Sequence, residues 1–365
     1  PYAADDGELA ARLLCEATLA PAREARIDAT ATRLIEAIRA QDNGLGGIEQ
    51  VLAEFALSTK EGLALMVLAI TVVVAMNWAP DQPVQKLQDR WATAPSRFVS
   101  VNGMQVHVRD EGWAQDPVPV LLIHGTSSSL HTWERWAKDL KADHRVISFD
   151  LPGFGLTGPA PDNDYSIAAY LRFVQNLMDT LGVKKAIIAG NSLGGEIAWR
   201  FAAEMPLRVE KLILLDASGY DFKPQSVPVG FQIARIPILA WPMDFLLPKS
   251  TMEDSVRDVY GNPDKVTPEL IERYTAMTVR AGNRAALRKR LRQLQAGEQA
   301  ALIKEVRVPT LILWGGKDKL IPPEYAERFH QDIAGSKLIM FDELGHVPQE
   351  ENPVVTLAAV KIFIQ

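Results

Sequence analysis

Apolar and polar positions follow two different rhythms along this chain of 365 residues. Over residues 8–17, 25–40 and 48–57 apolar side chains recur every three or four positions. That period gives a helix one apolar face, so three amphipathic helices are expected there. A break rich in glycine falls at 42–47, where Asp42, Asn43, Gly44, Gly46 and Gly47 cluster. From residue 96 the rhythm shortens. The segments SRFVSV and MQVHVRD alternate faces and flank Asn102-Gly103, a strong signal for a two-residue hairpin turn. Short apolar runs then recur in PVLLIHG, HRVISFDLPG, KKAIIAGNS, EKLILLDAS, PTLILWGGKD and SKLIMFDELGH, with helical stretches between them. Strands alternating with helices predict parallel βαβ units in a sheet covered on both faces.

Two stretches depart from this pattern. Positions 62 to 80 form a run of 19 residues without a charge, close to the ~20 that span a bilayer as a helix. It predicts either a membrane anchor or a helix buried against the catalytic domain or a second chain. Membrane association or self-association through 62–80 follows, and the location is left as membrane-anchored or cytoplasmic, of bacterial type. The second stretch separates Asp216–Gly219 from Val308–Trp314, where the strand rhythm lapses for nearly ninety residues. It reads as an inserted helical cap. The expected organisation is a helical extension over 1–61, an apolar helix and linker over 62–95, a core over 96–219 and 306–365, and the cap over 220–305. Within the cap, the run RKRLRQ reads as a solvated helix face.

Composition narrows the function. Apolar residues make up 47% and charged residues 23%, as in an ordinary globular protein with a large core. The net charge of −6 lacks the basic footprint that nucleic acid requires. Cys15 is the single cysteine, so no intrachain disulfide forms. Too few His and Cys residues stand in close spacing for a structural zinc site.

The chemistry gathers at the carboxyl ends of the expected strands, where ligands of such sheets bind. Gly190-Asn191-Ser192-Leu193-Gly194 fits G-x-S-x-G between a strand and a helix. A serine needs a base to become a nucleophile. Among the histidines, His346 combines a late position, a preceding glycine and a loop beyond a strand. Asp318, just after another strand, is placed to bind the far nitrogen of that ring, with Asp216 as the rival acid. The order Ser, Asp, His matches the hydrolase pattern. Backbone N–H groups of Thr126 and Leu193 are the expected oxyanion donors, with His124 bracing the loop rather than reacting.

The segments HGTSSS, DLPGFGLTG, GNSLGGEIAW, WGGKDKLIP and GHVPQEENP resemble the α/β-hydrolase superfamily, over about residues 96–363. The resemblance is to its capped branch of serine esterases and carbon–carbon bond hydrolases. It implies an eight-stranded, mostly parallel sheet with a helical cap and no cofactor. A nucleophilic serine speaks against the dehalogenases and epoxide hydrolases of the fold, which use aspartate. Residues 1–69 resemble instead the N-terminal helical region of bifunctional proline-utilisation flavoenzymes. Their barrel and flavin site have no counterpart downstream, so no such activity is carried over, and a joined gene fragment is the simplest account. The expected reaction is hydrolysis of a carboxylic ester with an apolar acyl or alcohol group, suggested by Phe231, Ile236, Trp241 and Phe245. The alternative is cleavage of a carbon–carbon bond in a ring-cleavage dienoate. Such a carboxylated substrate requires an arginine, with Arg200, Arg235 and Arg280 as candidates. A ligand-binding or scaffold role would predict a damaged Ser-His-Asp set, and all three members are present.

Overall fold

The computed structural model describes residues 67–68, 71–228, 231–232 and 244–365. The chain divides into residues 1–72 and 73–365, and the fold below is that of the second unit. The helices expected over 1–61, the resemblance over 1–69, and Arg235, Ile236 and Trp241 lie outside the described residues. So do positions 62–66, 69 and 70 of the charge-free run. Among the described residues no helix is long and apolar enough to cross a membrane.

Eight strands form one sheet: β1 (Ser96–Val101), β2 (Met104–Gly112), β3 (Val120–Ile123), β4 (Arg145–Phe149), β5 (Ala186–Asn191), β6 (Val209–Leu215), β7 (Thr310–Gly315) and β8 (Lys337–Phe341). Their order is β1-β2-β4-β3-β5-β6-β7-β8. The pairs β1–β2 and β2–β4 are antiparallel and the other five are parallel. The turn between β1 and β2 has φ of 51° at Asn102 and 77° at Gly103, the left-handed pair such a hairpin requires. The helices are α1 (Val84–Trp91), α2 (Glu134–Leu140), α3 (Ile167–Thr180), α4 (Leu193–Glu204), α5 (Lys249–Asp258), α6 (Pro268–Val279), α7 (Asn283–Gln293), α8 (Glu324–Asp332) and α9 (Pro353–Ile364).

Every residue of β3, β5 and β7 is buried. Alternate side chains feed two cores, because strand side chains point to opposite faces in turn. Leu121, Ile123, Ile312 and Trp314 join the core that contains Phe149, Phe201 and Trp199. Val120, Leu122, Leu311 and Leu313 join the one that contains Trp133 and Trp136. Removing some 70–90 Å² of apolar surface per such side chain contributes about 2 kcal/mol each at 25 cal/mol per Å². The sheet is thus a rigid platform for whatever its strand ends carry.

Helices α5, α6 and α7 lie in the chain between β6 and β7. Thr267 caps α6 by accepting from the Leu270 N–H, and Pro268 occupies the first helical position, where its missing N–H is no loss. This segment meets the entering chain. Ala79 N donates to Phe245 O at 2.8 Å, and the Trp78 and Phe245 rings stack 5.5 Å apart. Phe245 is therefore a partner of Trp78, not of the cavity described next.

Candidate active site

The turn from β5 into α4 is fixed by steric crowding. A methyl group added at Gly190 would lie 2.1 Å from Gly194 O, and one at Gly194 would lie 2.2 Å from Ile123 O. Backbone stands where a side chain would go, which is why both positions are glycine. Between them Ser192 takes φ 55° and ψ −117°, a conformation costing a non-glycine residue on the order of 1–3 kcal/mol. The turn is held by Ser192 N donating to Leu215 O at 3.0 Å and by Ser218 N donating to Ser192 O at 3.1 Å. Ser192 lines a cavity of about 580 Å³ whose wall also contains His346, Gly125 and Thr126.

His346 follows β8. Its Nδ1 lies 2.7 Å from Asp318 Oδ2, with Asp318 2% and His346 4% exposed. The Asp318 Oδ1 accepts from the Leu320 and Ile321 N–H groups at 2.8 and 3.0 Å. A carboxylate so held accepts a hydrogen bond from Nδ1–H, which fixes the tautomer and leaves the Nε2 lone pair free to take a proton. The His346 backbone is pinned on both sides: its N–H donates to Val259 O at 2.9 Å, and its carbonyl accepts from Asn191 Nδ2 at 2.9 Å. Asn191 also reaches Leu215 O at 3.2 Å. Ser192 Oγ makes no hydrogen bond to His346 here; such bonds commonly tighten only with substrate in place.

The rival acid stands beside the first. Asp216 is fully buried, and one oxygen of Asp216, one of Asp318 and one ring nitrogen of His346 lie within 4.8 Å of one another. Asp216 Oδ1 accepts from Gly315 N at 2.9 Å, while Oδ2 has no partner. Burial, reinforced by the charge of Asp318, pushes the Asp216 carboxyl well above the usual carboxylate range. Among the described residues these three are the single group of such donors close enough to bracket a cation. Oδ1 of each aspartate already accepts from backbone N–H groups, and Asp318 Oδ2 is bonded to the His346 ring.

Neither the Thr126 N–H nor the Leu193 N–H is taken by an acceptor among the described residues. Leu193 opens α4, where the first N–H groups have no intrahelical partner. The loop before Thr126 is braced by His124, whose Nε2 accepts from Leu151 N at 2.9 Å and whose Nδ1 donates to Gly125 O at 2.7 Å. Burial holds that ring below the ordinary histidine range. A second brace crosses from the helical segment. Glu351 accepts from Gly345 N at 2.8 Å and from Gly261 N and Asn262 N, each at 2.9 Å.

Three expectations need correction. Arg200 is not in the cavity wall; it pairs with Glu204 one turn along α4. Nor is Arg280, which donates to Ala281 O and Thr157 O. The run RKRLRQ is not simply a solvated face, because Arg290 is 4% exposed and lines the cavity. Positions 283, 286 and 290 share the inward stripe of α7, and charge alone hid that period. Asn191 and Glu351 were not singled out either, since Asn191 reaches His346 and Glu351 reaches Gly261 and Asn262 across long sequence separations.

Residues 118–353 match the family model described as the alpha/beta hydrolase fold. The chain belongs to the alpha/beta hydrolase fold family. It is a hydrolase of this fold. Its relatives within the family differ in chemistry. A 2-hydroxy-6-oxo-2,4-heptadienoate hydrolase of Pseudomonas putida is 30% identical over 263 residues, covering 70% of this chain and 91% of that protein. Lipase 3 of a Moraxella species is 31% identical over 258 residues, covering 67% and 76%. A solved meta-cleavage product hydrolase of Pseudomonas fluorescens is 26% identical with a TM-score of 0.63, covering 74% of this chain and 97% of that one.

Proposed function

We propose that the protein is a serine hydrolase of carboxylic esters that works through an acyl-enzyme on Ser192, with residues 220–305 as its cap. The observation that carries this reading is the 2.7 Å bond between His346 Nδ1 and Asp318 Oδ2, behind a cavity whose wall holds His346 and a strained Ser192. His346 Nε2 takes the Ser192 proton as Oγ attacks the ester carbonyl. The oxygen that becomes negative accepts from the Thr126 and Leu193 N–H groups, each such donor being worth about 10²–10³ in rate. His346 then gives its proton to the departing alkoxide, so an alcohol leaves. Water, deprotonated by the same nitrogen, attacks the acyl-enzyme and releases the acid. Phe222, Phe231, Leu246 and Met252 in the wall favour an apolar group. Similarity to a lipase supports this reading.

The alternative is hydrolysis of a carbon–carbon bond in a carboxylated dienoate. Similarity to the heptadienoate hydrolase favours it. The test is turnover of p-nitrophenyl esters of increasing chain length by wild type and Ser192→Ala. The variant is expected to lose on the order of 10⁶ in kcat. Equal rates in both proteins would remove Ser192 as nucleophile; an inert wild type that cleaves dienoates would reverse the choice of substrate.

A further inference from the structure

Three arginines of α7 reach the cavity wall: Arg284, Arg288 and Arg290. Two are neutralised. Arg284 Nη2 donates to Asp81 Oδ1 at 2.6 Å, and Arg288 makes two bonds to Asp244 at 2.6 and 2.9 Å. Arg290 is different. Its Nε is buried with no partner, and its guanidinium makes no hydrogen bond or ion pair with any described residue. Leaving the Nε of a guanidinium buried without a partner is unfavourable. A helix that merely closed an apolar cavity would carry a leucine there, as α7 and the residues after it do at Leu287, Leu291 and Leu294.

The acid nearest in effect is Glu196, which shares the cavity wall and stands one turn after Ser192 on α4. It forms no ion pair with Arg290. Burial pushes its carboxyl up, against the pull of Arg290 and Arg200 and a bond from Ser218. Glu196 therefore tempers the positive charge without filling the donor sites of the guanidinium. Those donors suit a planar, bidentate acceptor.

We propose that Arg290 is the floor of an anion subsite, and that the substrate carries a carboxylate bound there while its scissile carbonyl lies over Ser192. This rests on the serine hydrolase reading for the reacting end only. Monoesters of dicarboxylic acids are the matching class. The remaining wall takes the apolar chain between the two ends, and Glu196 disfavours a second negative charge.

The test compares mono-p-nitrophenyl esters of dicarboxylic acids, from succinate to sebacate, with neutral acyl esters of equal length. For at least one length the wild-type kcat/KM should favour the carboxylated ester about tenfold to a hundredfold, the range expected for hydrogen bonds to a charged group. In Arg290→Gln and Arg290→Met that ratio should fall to one or below, and Arg290→Lys should keep part of it. A wild-type ratio at or below one for every length overturns the subsite, as does a preference unchanged in Arg290→Gln. Calorimetric binding to Ser192→Ala separates this inference from the ester reading, since it needs no turnover. There octanoate should bind more tightly than 1-octanol, and Arg290→Gln should abolish the difference. Equal binding of the two, or a difference that survives Arg290→Gln, overturns the proposal even if every ester is cleaved.

Discussion

Asp216 and Asp318 lie side by side behind His346, yet only Asp318 is bonded to the ring. The two carboxyls have different surroundings. Asp318 accepts from the Leu320 and Ile321 N–H groups and is bonded to the ring. Asp216 receives one N–H, from Gly315, and burial with a like charge beside it pushes its carboxyl well above the usual carboxylate range. Asp318→Asn should therefore lower kcat by about 10⁴, as loss of the tautomer-fixing acid does in serine proteases. Asp216→Asn, which keeps shape and a donor, should stay within about tenfold of wild type. Steady-state ester turnover decides the matter, and the reverse ranking would make Asp216 the acid of the triad.

Asn191 joins the serine turn to the histidine loop across 155 residues of sequence. Asn191→Ala leaves the His346 carbonyl without its donor in a buried place. A loss of about 1–3 kcal/mol in stability is expected from chemical denaturation. Because the ring is no longer held in register, kcat should also fall, roughly tenfold to a hundredfold, with KM moving little. An unchanged kcat would make Asn191 a purely structural residue.

Gly194 has no room for even one carbon. Gly194→Ala sets a methyl against Ile123 O, between the serine turn and the central strand. Overpacking of that kind costs about 1–3 kcal/mol or more, so the variant should melt well below wild type. A melting temperature within a degree of wild type would mean that the turn yields freely.

His131 sets an acid limit on the fold. Its Nε2 bonds to Trp91 O at 2.8 Å and its Nδ1 to the Ser129 hydroxyl at 2.9 Å. Burial lowers its pKa from 6.5 to about 4. The unfolded chain then binds the proton more readily than the native one. Stability from this group is full above pH 6.5 and is lost as pH falls towards 4. The loss is on the order of 3 kcal/mol at most. Denaturation midpoints measured from pH 7 to 4 should show this slope, and His131→Gln should flatten it. A slope that persists in the variant assigns it to other groups.

The sheet was legible because its signals are local. A strand buried on both faces, such as β5 or β7, can only be a short apolar run, and Asn102-Gly103 announces its own turn. Ser192 was legible because crowding demands glycine at fixed offsets around it. His346 and Asp318 were legible through their places after strands. The cavity was not. Arg290 sits in a run of charges whose helical period is masked by arginine on several faces of α7. Arg200 and Arg280 were named as candidates and do not line the cavity, because a side chain's nearness to Ser192 depends on how the helices pack, not on any local pattern. Asn191 reaches the His346 carbonyl, and Glu351 reaches Gly261 and Asn262, through contacts that no window of sequence contains.

The Glu351 carboxylate grips the histidine loop with one oxygen and the chain just beyond α5 with both. Val259 adds a second tie to His346 itself. That part of the segment over the cavity therefore cannot serve as a door. Lifting it would carry His346 away from Ser192 at every opening, and the site would have to be rebuilt in each cycle. It belongs mechanically to the doorframe. Traffic in and out must pass where the segment is not fastened to the histidine, so the alignment of Ser192 with His346 is independent of whether the cavity is open or shut.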